Sequence, residues 1–437
     1  MENIEKREIE LWFALCCGVR NRDFRGLLDE YESVYNIFDA DEREIWSMPC
    51  SDTVKRRLMD KSLVQARKIL ATCRENDINL LYWEDENYPA SLRTLQDPPV
   101  LLYYKGTLPD FNNRLCISVV GTRRMSEYGK RMAYKIGYEL GTAGAVVVSG
   151  MALGIDGVAA ASAIHAGGTT VAVLGNGLLK PYPAEHQKLF DEIVEHGAVM
   201  SEYPPDTSPN KWQFPVRNRI VSGLSRGTVV VEAPKHSGTL ITAHEAILQG
   251  RDIYAIPGNV GTYNASGSNQ LISDGAAVVL RARDVLENYL CLYKDELDMD
   301  RLERVERRPR MDEEGLVELG IVRPRVQPRT DAPPAMPPTV DTPVETVTPE
   351  PPKVTKSPKA PKPPKSVPAK GDASNAVLQS LTDVQRRIFE ALPLDHAVTM
   401  DYLLCEGFTV GEITLAMTVL EIKGLTVSLP GGLFSRK

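Results

Sequence analysis

Over the first eighty residues the apolar positions recur at helical spacing: from Ile4 to Leu15, through Phe24 to Phe38, and from Val54 to Glu75. Gly18 breaks the first run. This pattern predicts a helical N-terminal domain over residues 1–80, of the SAM or helix-hairpin-helix kind. Its expected role is packing or partner docking, because a short helix-glycine-helix unit is too common to define a DNA-binding hairpin. Leu80 to Lys105 has prolines at its turns and a strand-like finish, and reads as a lead-in that docks on the next domain. From Cys116 the pattern changes to short, β-branched apolar runs without strict alternation. They are Cys116 to Val120, Ala145 to Ser149, Thr169 to Leu174, Ala198 to Ser201, Thr228 to Glu232 and Asp252 to Ile256. A polar or glycine-containing turn, and usually a helix, follows each. Strands apolar on both faces need helices on both sides, so the prediction for residues 81–292 is a doubly wound α/β domain with a mostly parallel sheet.

After residue 292 the composition shifts. Residues 323–370 hold about half of the chain's 31 prolines, an acidic half followed by a lysine half. A disordered linker is expected over 293–375. Lys353, Lys356, Lys359, Lys362 and Lys365 fall every third residue, on one face of a polyproline helix, where they serve either as a solubilising tether or as a contact for nucleic-acid phosphate. Residues 376–437 read as three helices and a hairpin turning on Pro430, Gly431 and Gly432, a winged helix. Its third helix carries Glu412, Glu421 and only Lys423, so it is expected to contact protein rather than a duplex groove.

At 437 residues and 43% hydrophobic composition the chain has room for two or three domains and a large core. A formal net charge of −7 means that nucleic-acid binding must rest on a local basic patch. Seven cysteines without CxxC spacing, apart from the six histidines, read as free thiols in a reducing compartment, with no disulfide framework and no metal site. The charged start MENIEKREIE and the absence of a long apolar run predict a cytoplasmic protein without a membrane segment.

The candidate chemistry lies at the strand ends, where doubly wound sheets bind ligands. In CISVVGTRRMSEYG a strand ends on Gly121 and feeds a helix through Arg123 and Arg124, which aims backbone N–H groups and guanidinium forks at one spot, as a phosphate requires. Gly150 and Gly175 end the next strands in the same way. In FPVRNRIVSGL, the residues Arg217, Asn218 and Arg219 cluster at an expected helix start, where cations oppose the helix dipole and an anionic partner would resolve the conflict. Just upstream stand Lys211, Trp212 and Phe214, aromatics beside a cation, the combination that single-stranded nucleic acid uses. Trp212 reads equally as a packing residue. In KHSGTL, the residues Ser237, Gly238 and Thr239 form either an anion-binding helix start or an ordinary N-cap. Gly258 and Asn259 belong either to the same groove or to a plain turn, and Asp156 is expected to cap a helix beginning at Gly157. No GxSxG, Walker A or GxGxxG string occurs, and no nucleophile with a base or carboxylate pair assembles, so neither an enzyme nor a cofactor is expected.

GTRRMSEYG, SGMALGID, SEYPP, FPVRNRIVSGLS, VVVEAPKHSGTLITA and AIPGNVG, in that order, resemble the DprA/Smf family of DNA-processing proteins over roughly Asn87 to Tyr289. The resemblance implies an extended Rossmann-like domain that binds single-stranded DNA, forms a homodimer and loads the recombinase RecA onto incoming strands during natural transformation. It also implies that Lys211 and Phe214 match a lysine and a phenylalanine of the family's DNA groove. Three positions depart from the family pattern: Leu153 stands where a basic residue is typical, Ala160 where a histidine often follows, and His244 where an arginine or similar polar residue is common. The competing reading is a Rossmann-like nucleotide phosphoribohydrolase resembling lysine decarboxylase homologues, with Glu245 of KHSGTLITAHE as the carboxylate for glycosidic cleavage. A third is a scaffold that binds only proteins.

Overall fold

The computed structural model describes residues 2–306, 311–322 and 381–392, with positions 398–399, 408, 413, 416–417, 419–421, 423, 425–429 and 433–436 near the C-terminus. Most of the proline-rich stretch with its lysines Lys353 to Lys365, Cys405, Glu412 and the hairpin tip at Pro430 lie outside the described residues. The chain divides into two units, residues 1–332 and 333–437.

The first unit opens with six helices, α1 (Glu2–Cys17), α2 (Phe24–Tyr31), α3 (Val34–Asp39), α4 (Glu42–Ser47), α5 (Asp52–Leu58) and α6 (Val64–Glu75). Gly18 ends α1 at φ 73°, a backbone setting that favours glycine. Asp41 and Glu44 form a capping box on α4, each satisfying an amide that the helix start leaves free.

The lead-in forms β1 (Asn79–Tyr82), the short α7 (Ala90–Arg93) and β2 (Leu101–Gly106), and then joins the main sheet. The main strands are β3 (Cys116–Val120), β4 (Val146–Ser149), β5 (Thr170–Leu174), β6 (Gly197–Ser201), β7 (Gly227–Val230), β8 (Asp252–Ala255) and β9 (Ala277–Val278). Between and after them run α8 (Glu127–Thr142), α9 (Ile155–His165), α10 (Gln187–His196), α11 (Gln213–Gly223), α12 (Gly238–Leu248), α13 (Ser266–Ser273) and α14 (Arg283–Leu286). The sheet order is β1-β2-β6-β5-β4-β3-β7-β8-β9. Strands β3 to β9 pair in parallel, while β1 with β2 and β2 with β6 are antiparallel.

The doubly wound prediction therefore holds, and six of the seven main strands, β3 to β8, lie within a few residues of the expected runs. Successive side chains alternate between two apolar layers: Ile117 and Val119 join the core that contains α8, α9 and α10, while Val120, Val146 and Val148 join the one that contains α11 and α12. Burial on both faces is why these strands show no polar alternation. The chain runs leftward from β3 to β6 and resumes on the other side at β7, so the topological switch point lies between β3 and β7.

Beyond residue 292, where a linker was expected, two short helices follow, α15 (Met299–Glu306) and α16 (Glu313–Glu318). Each buries one leucine completely, Leu302 and Leu316, in the same core as α8 and α9. Met299, Leu302 and Val305 recur every third residue in the first, but the helices are only eight and six residues long within a charged run, so composition concealed them.

In the second unit α17 (Asp383–Ala391) carries a capping box between Thr382 and Gln385. Strands β10 (Val398–Thr399), β11 (Thr426–Leu429) and β12 (Leu433–Arg436) form an antiparallel sheet in the order β10-β12-β11. Leu381, Ile388, Ile413, Met417 and Leu420 form its buried cluster. Helices packed with a small sheet that ends in a hairpin are the winged-helix arrangement. Among the described residues no helix is long and apolar enough to cross a membrane.

Candidate nucleic-acid interface

The turn after β3 is built by two buried carboxylates. Asp156, near the start of α9, accepts from the Gly121 amide at 3.2 Å and from the Gly150 amide at 3.0 Å, tying the ends of β3 and β4 together. It thus clamps two strand ends instead of capping a helix at Gly157, and α9 already begins at Ile155. Burial pushes its carboxyl above the ordinary value, against the pull of Arg217 and the two amides. Glycine is required here: a Cβ on Gly121 would meet the Ile155 side chain at 2.5 Å, and Gly154, at φ 84°, lies against the Thr122 carbonyl. Glu232, just past β7, secures the far side. It accepts from the Ser126 hydroxyl at 2.5 Å and the Ser126 amide at 2.9 Å, while Ser126 caps α8 by accepting from Gly129. Arg123 and Arg124 are exposed on this fixed turn.

The basic motif on α11 divides. The helix starts at Gln213, so Arg217 and Arg219 lie beyond its first turn and the expected conflict with the dipole is relieved. Residues two apart on an α-helix point about 200° apart around its axis, which sends the two guanidinium groups opposite ways. Arg217, 4% exposed, donates to the carbonyls of Gly150, at 2.9 Å, and of Val173, bracing the ends of β4 and β5. Burial pushes its pKa down to about 10, opposed by Asp156 and aided by Arg123.

Arg219 was expected on phosphate, and the structure places it elsewhere. It is 0% exposed, donates to Glu202 at 2.8 Å and lies 3.5 Å from Asp97, which also pairs with Arg20 at 2.6 Å. Burial lowers its pKa, but Glu202 and Asp97 raise it overall.

Most of the remaining candidates meet in one groove of ≈ 580 Å³ at the switch point. Gly121, Arg123 and Arg124 form one side, Gly150 and the buried Arg217 also line it, and Phe214 and Asn218 of α11 with Lys211 just before that helix complete it. Ser237, Gly238 and Thr239 line it at the start of α12, where the Ser237 side chain makes no capping bond and the space around Gly238 is open. Phe214 lies between two partners: the Arg123 guanidinium is 5.4 Å from its ring centroid and the Tyr182 ring is 5.5 Å away. Gly175 does not line the groove. A Cβ there would meet Phe214 at 2.9 Å, so this glycine makes room for the ring. Trp212 is 56% exposed and rests edge-on against Tyr203, away from the groove lining.

Sequence reasoning missed Tyr182, Tyr263 and Asn264, which also line the groove. Tyr182 lies in the turn after β5, but nothing in the sequence shows that its ring meets Phe214. Of the family departures, Ala160 is fully buried in α9, His244 is exposed outside the groove, and Leu153 lines an adjoining cavity with Arg123 and Arg124. Gly258 and Asn259 line another neighbouring cavity. Glu245 pairs with Arg20 at 3.2 Å and does not line the groove.

The family model for DNA recombination-mediator protein A matches residues 79–290. DNA processing protein DprA of Bacillus subtilis is 41% identical over 220 residues, covering 50% of this chain and 74% of the relative. Protein Smf of Escherichia coli is 38% identical over 249 residues, covering 54% of this chain and 66% of its own length. An X-ray structure of DNA processing protein A from Streptococcus pneumoniae superposes with a TM-score of 0.57 at 34% identity, over 64% of this chain and 97% of that one. The chain belongs to the DNA recombination-mediator protein A family, the DNA-processing proteins called DprA or Smf.

Proposed function

We propose that the groove at the switch point binds single-stranded DNA, and that the protein protects incoming strands and delivers them to RecA during recombination. The observation that carries this reading is the half-buried Phe214 ring with Arg123 and a tilted Tyr182 beside it and the exposed Lys211 lining the same groove. An unpaired base can enter and stack on such a ring while its phosphates meet the arginines and the open amides of α12. A duplex keeps its bases stacked inside and offers the recess no free face.

Delivery to RecA, action in the cytoplasm and a homodimer that brings two grooves to one strand extend the family resemblance to this chain. A binding role is further supported by Glu245, the carboxylate an alternative glycosidic cleavage would need, which is engaged by Arg20 outside the groove. The test compares oligo(dT) with duplex DNA by fluorescence anisotropy. Preference for oligo(dT) is expected, with Phe214→Ala losing about 1–3 kcal/mol of binding free energy. Arg123→Ala should weaken binding and flatten its salt dependence by about 0.7 in log–log slope. Unchanged affinity and slope in both variants would refute the proposal.

A further inference from the structure

Two other cavities adjoin the groove, and their charges differ. The first, of ≈ 1050 Å³, sets Arg123 and Arg124 opposite Glu185, Glu313, Glu314 and Glu318. Glu127 and Lys130 line it too, and Lys130 pairs with Glu127 at 2.9 Å and with Glu313 at 3.5 Å. Five carboxylates thus face three cations, and a phosphate chain leaving the groove on that side would meet net negative charge. The second, of ≈ 810 Å³, is lined by Tyr128, Arg131, Asn259, Thr262, Tyr263 and Asn264. Its two acidic side chains are engaged: Glu127 pairs with Lys130 at 2.9 Å, and Glu232 accepts from Ser126 and, at 3.3 Å, from Asn264. Arg131 is exposed.

Tyr263 and Asn264 line both this cavity and the groove, so the two adjoin at the Tyr263 ring. That ring is 76% exposed, yet its loop is anchored at several points. Asn264 donates to the Arg124 carbonyl at 2.9 Å, Tyr128 donates to the Pro257 carbonyl at 2.8 Å, and Gly258 and Asn269 exchange two hydrogen bonds at 3.0 Å. An aromatic face presented to water on a braced loop is a platform whose ordering cost is met in advance. Its neighbour Val260 is 97% exposed on the same loop.

We propose that the second cavity is a further nucleotide subsite for the same strand, with a base on Tyr263 and the following phosphate on Arg131. This rests on the reading of the groove as a single-stranded DNA site and adds the direction in which the strand leaves it, away from the glutamates of α16. The ligand class is an unpaired nucleotide already tethered to one held at Phe214, because an exposed ring and one arginine are too little to hold a free mononucleotide.

The experiment measures the full chain against an oligo(dT) ladder from about four to about twelve nucleotides, spanning common single-strand site sizes. Wild-type affinity should rise along the ladder. Tyr263→Ala should weaken the longer oligonucleotides by roughly 5- to 100-fold and the short ones less, since the ring also borders the groove, and Tyr263→Phe should retain the affinity of both. Arg131→Gln should flatten the salt slope for the long oligonucleotides by about 0.7 and leave the short ones unchanged. Wild-type behaviour of both substitutions at every length would overturn the subsite, as would equal losses on short and long oligonucleotides. If wild-type protein bound no oligonucleotide at all, the groove reading would fall first and this inference with it.

Discussion

Arg217 and Arg219 stand two apart in one basic motif, and the helix turns them into different kinds of residue. Arg219 is enclosed with Glu202 and Asp97, so removing it leaves two carboxylates with less compensation in a buried site. Breaking such a pair costs about 3–5 kcal/mol, whereas an exposed cation such as Arg123 is worth within about 0.5 kcal/mol to stability. Arg219→Ala should therefore lower the thermal midpoint strongly, while Arg123→Ala should leave it in place and lose DNA. Thermal melts of the two variants decide the matter, and an undiminished midpoint for Arg219→Ala together with lost oligo(dT) binding would return Arg219 to the groove. Residue types were legible in the sequence; which side of α11 each side chain takes depends on how the helix packs, and Trp212 at its N-cap makes no side-chain capping bond that would mark the start.

Among the elements, the strands were the most legible because short β-branched runs between glycines have few other uses. The antiparallel pair β1 and β2 was read only as a lead-in, since its edge position follows from partners distant in sequence. Helices α8 and α9 illustrate a closer fit. A Cβ on Gly137 would lie 2.2 Å from the Ser162 hydroxyl and 2.5 Å from the Ala159 carbonyl. Helix propensity alone favours Gly137→Ala by about 1 kcal/mol. Overpacking against backbone costs about 1–3 kcal/mol, so the substitution should destabilise despite its better propensity. Denaturant titration checks this, and a raised midpoint would mean that the helices yield. Because Ser126 caps α8 and α9 carries Asp156, separating them also disturbs the phosphate turn.

At the scale of the whole molecule, a net charge of −7 coexists with a groove whose exposed charged side chains are Arg123, Arg124 and Lys211. Three such contacts predict a log–log salt slope for short oligo(dT) of about −2, at about 0.7 per phosphate neutralised. A steeper slope for long strands that persists in Arg131→Gln and disappears when Lys353, Lys356, Lys359, Lys362 and Lys365 become Gln would assign the remainder to the lysine row. By itself the sequence determined the doubly wound sheet and the glycine turns, because strand periodicity and backbone conformation are local properties. Tertiary structure alone decided that Tyr182 meets Phe214, that Arg219 is sealed away, and that Tyr263 borders two cavities. Those outcomes depend on where separate turns converge at the switch point, and convergence is set by packing across the sheet rather than by the residues adjacent in the chain.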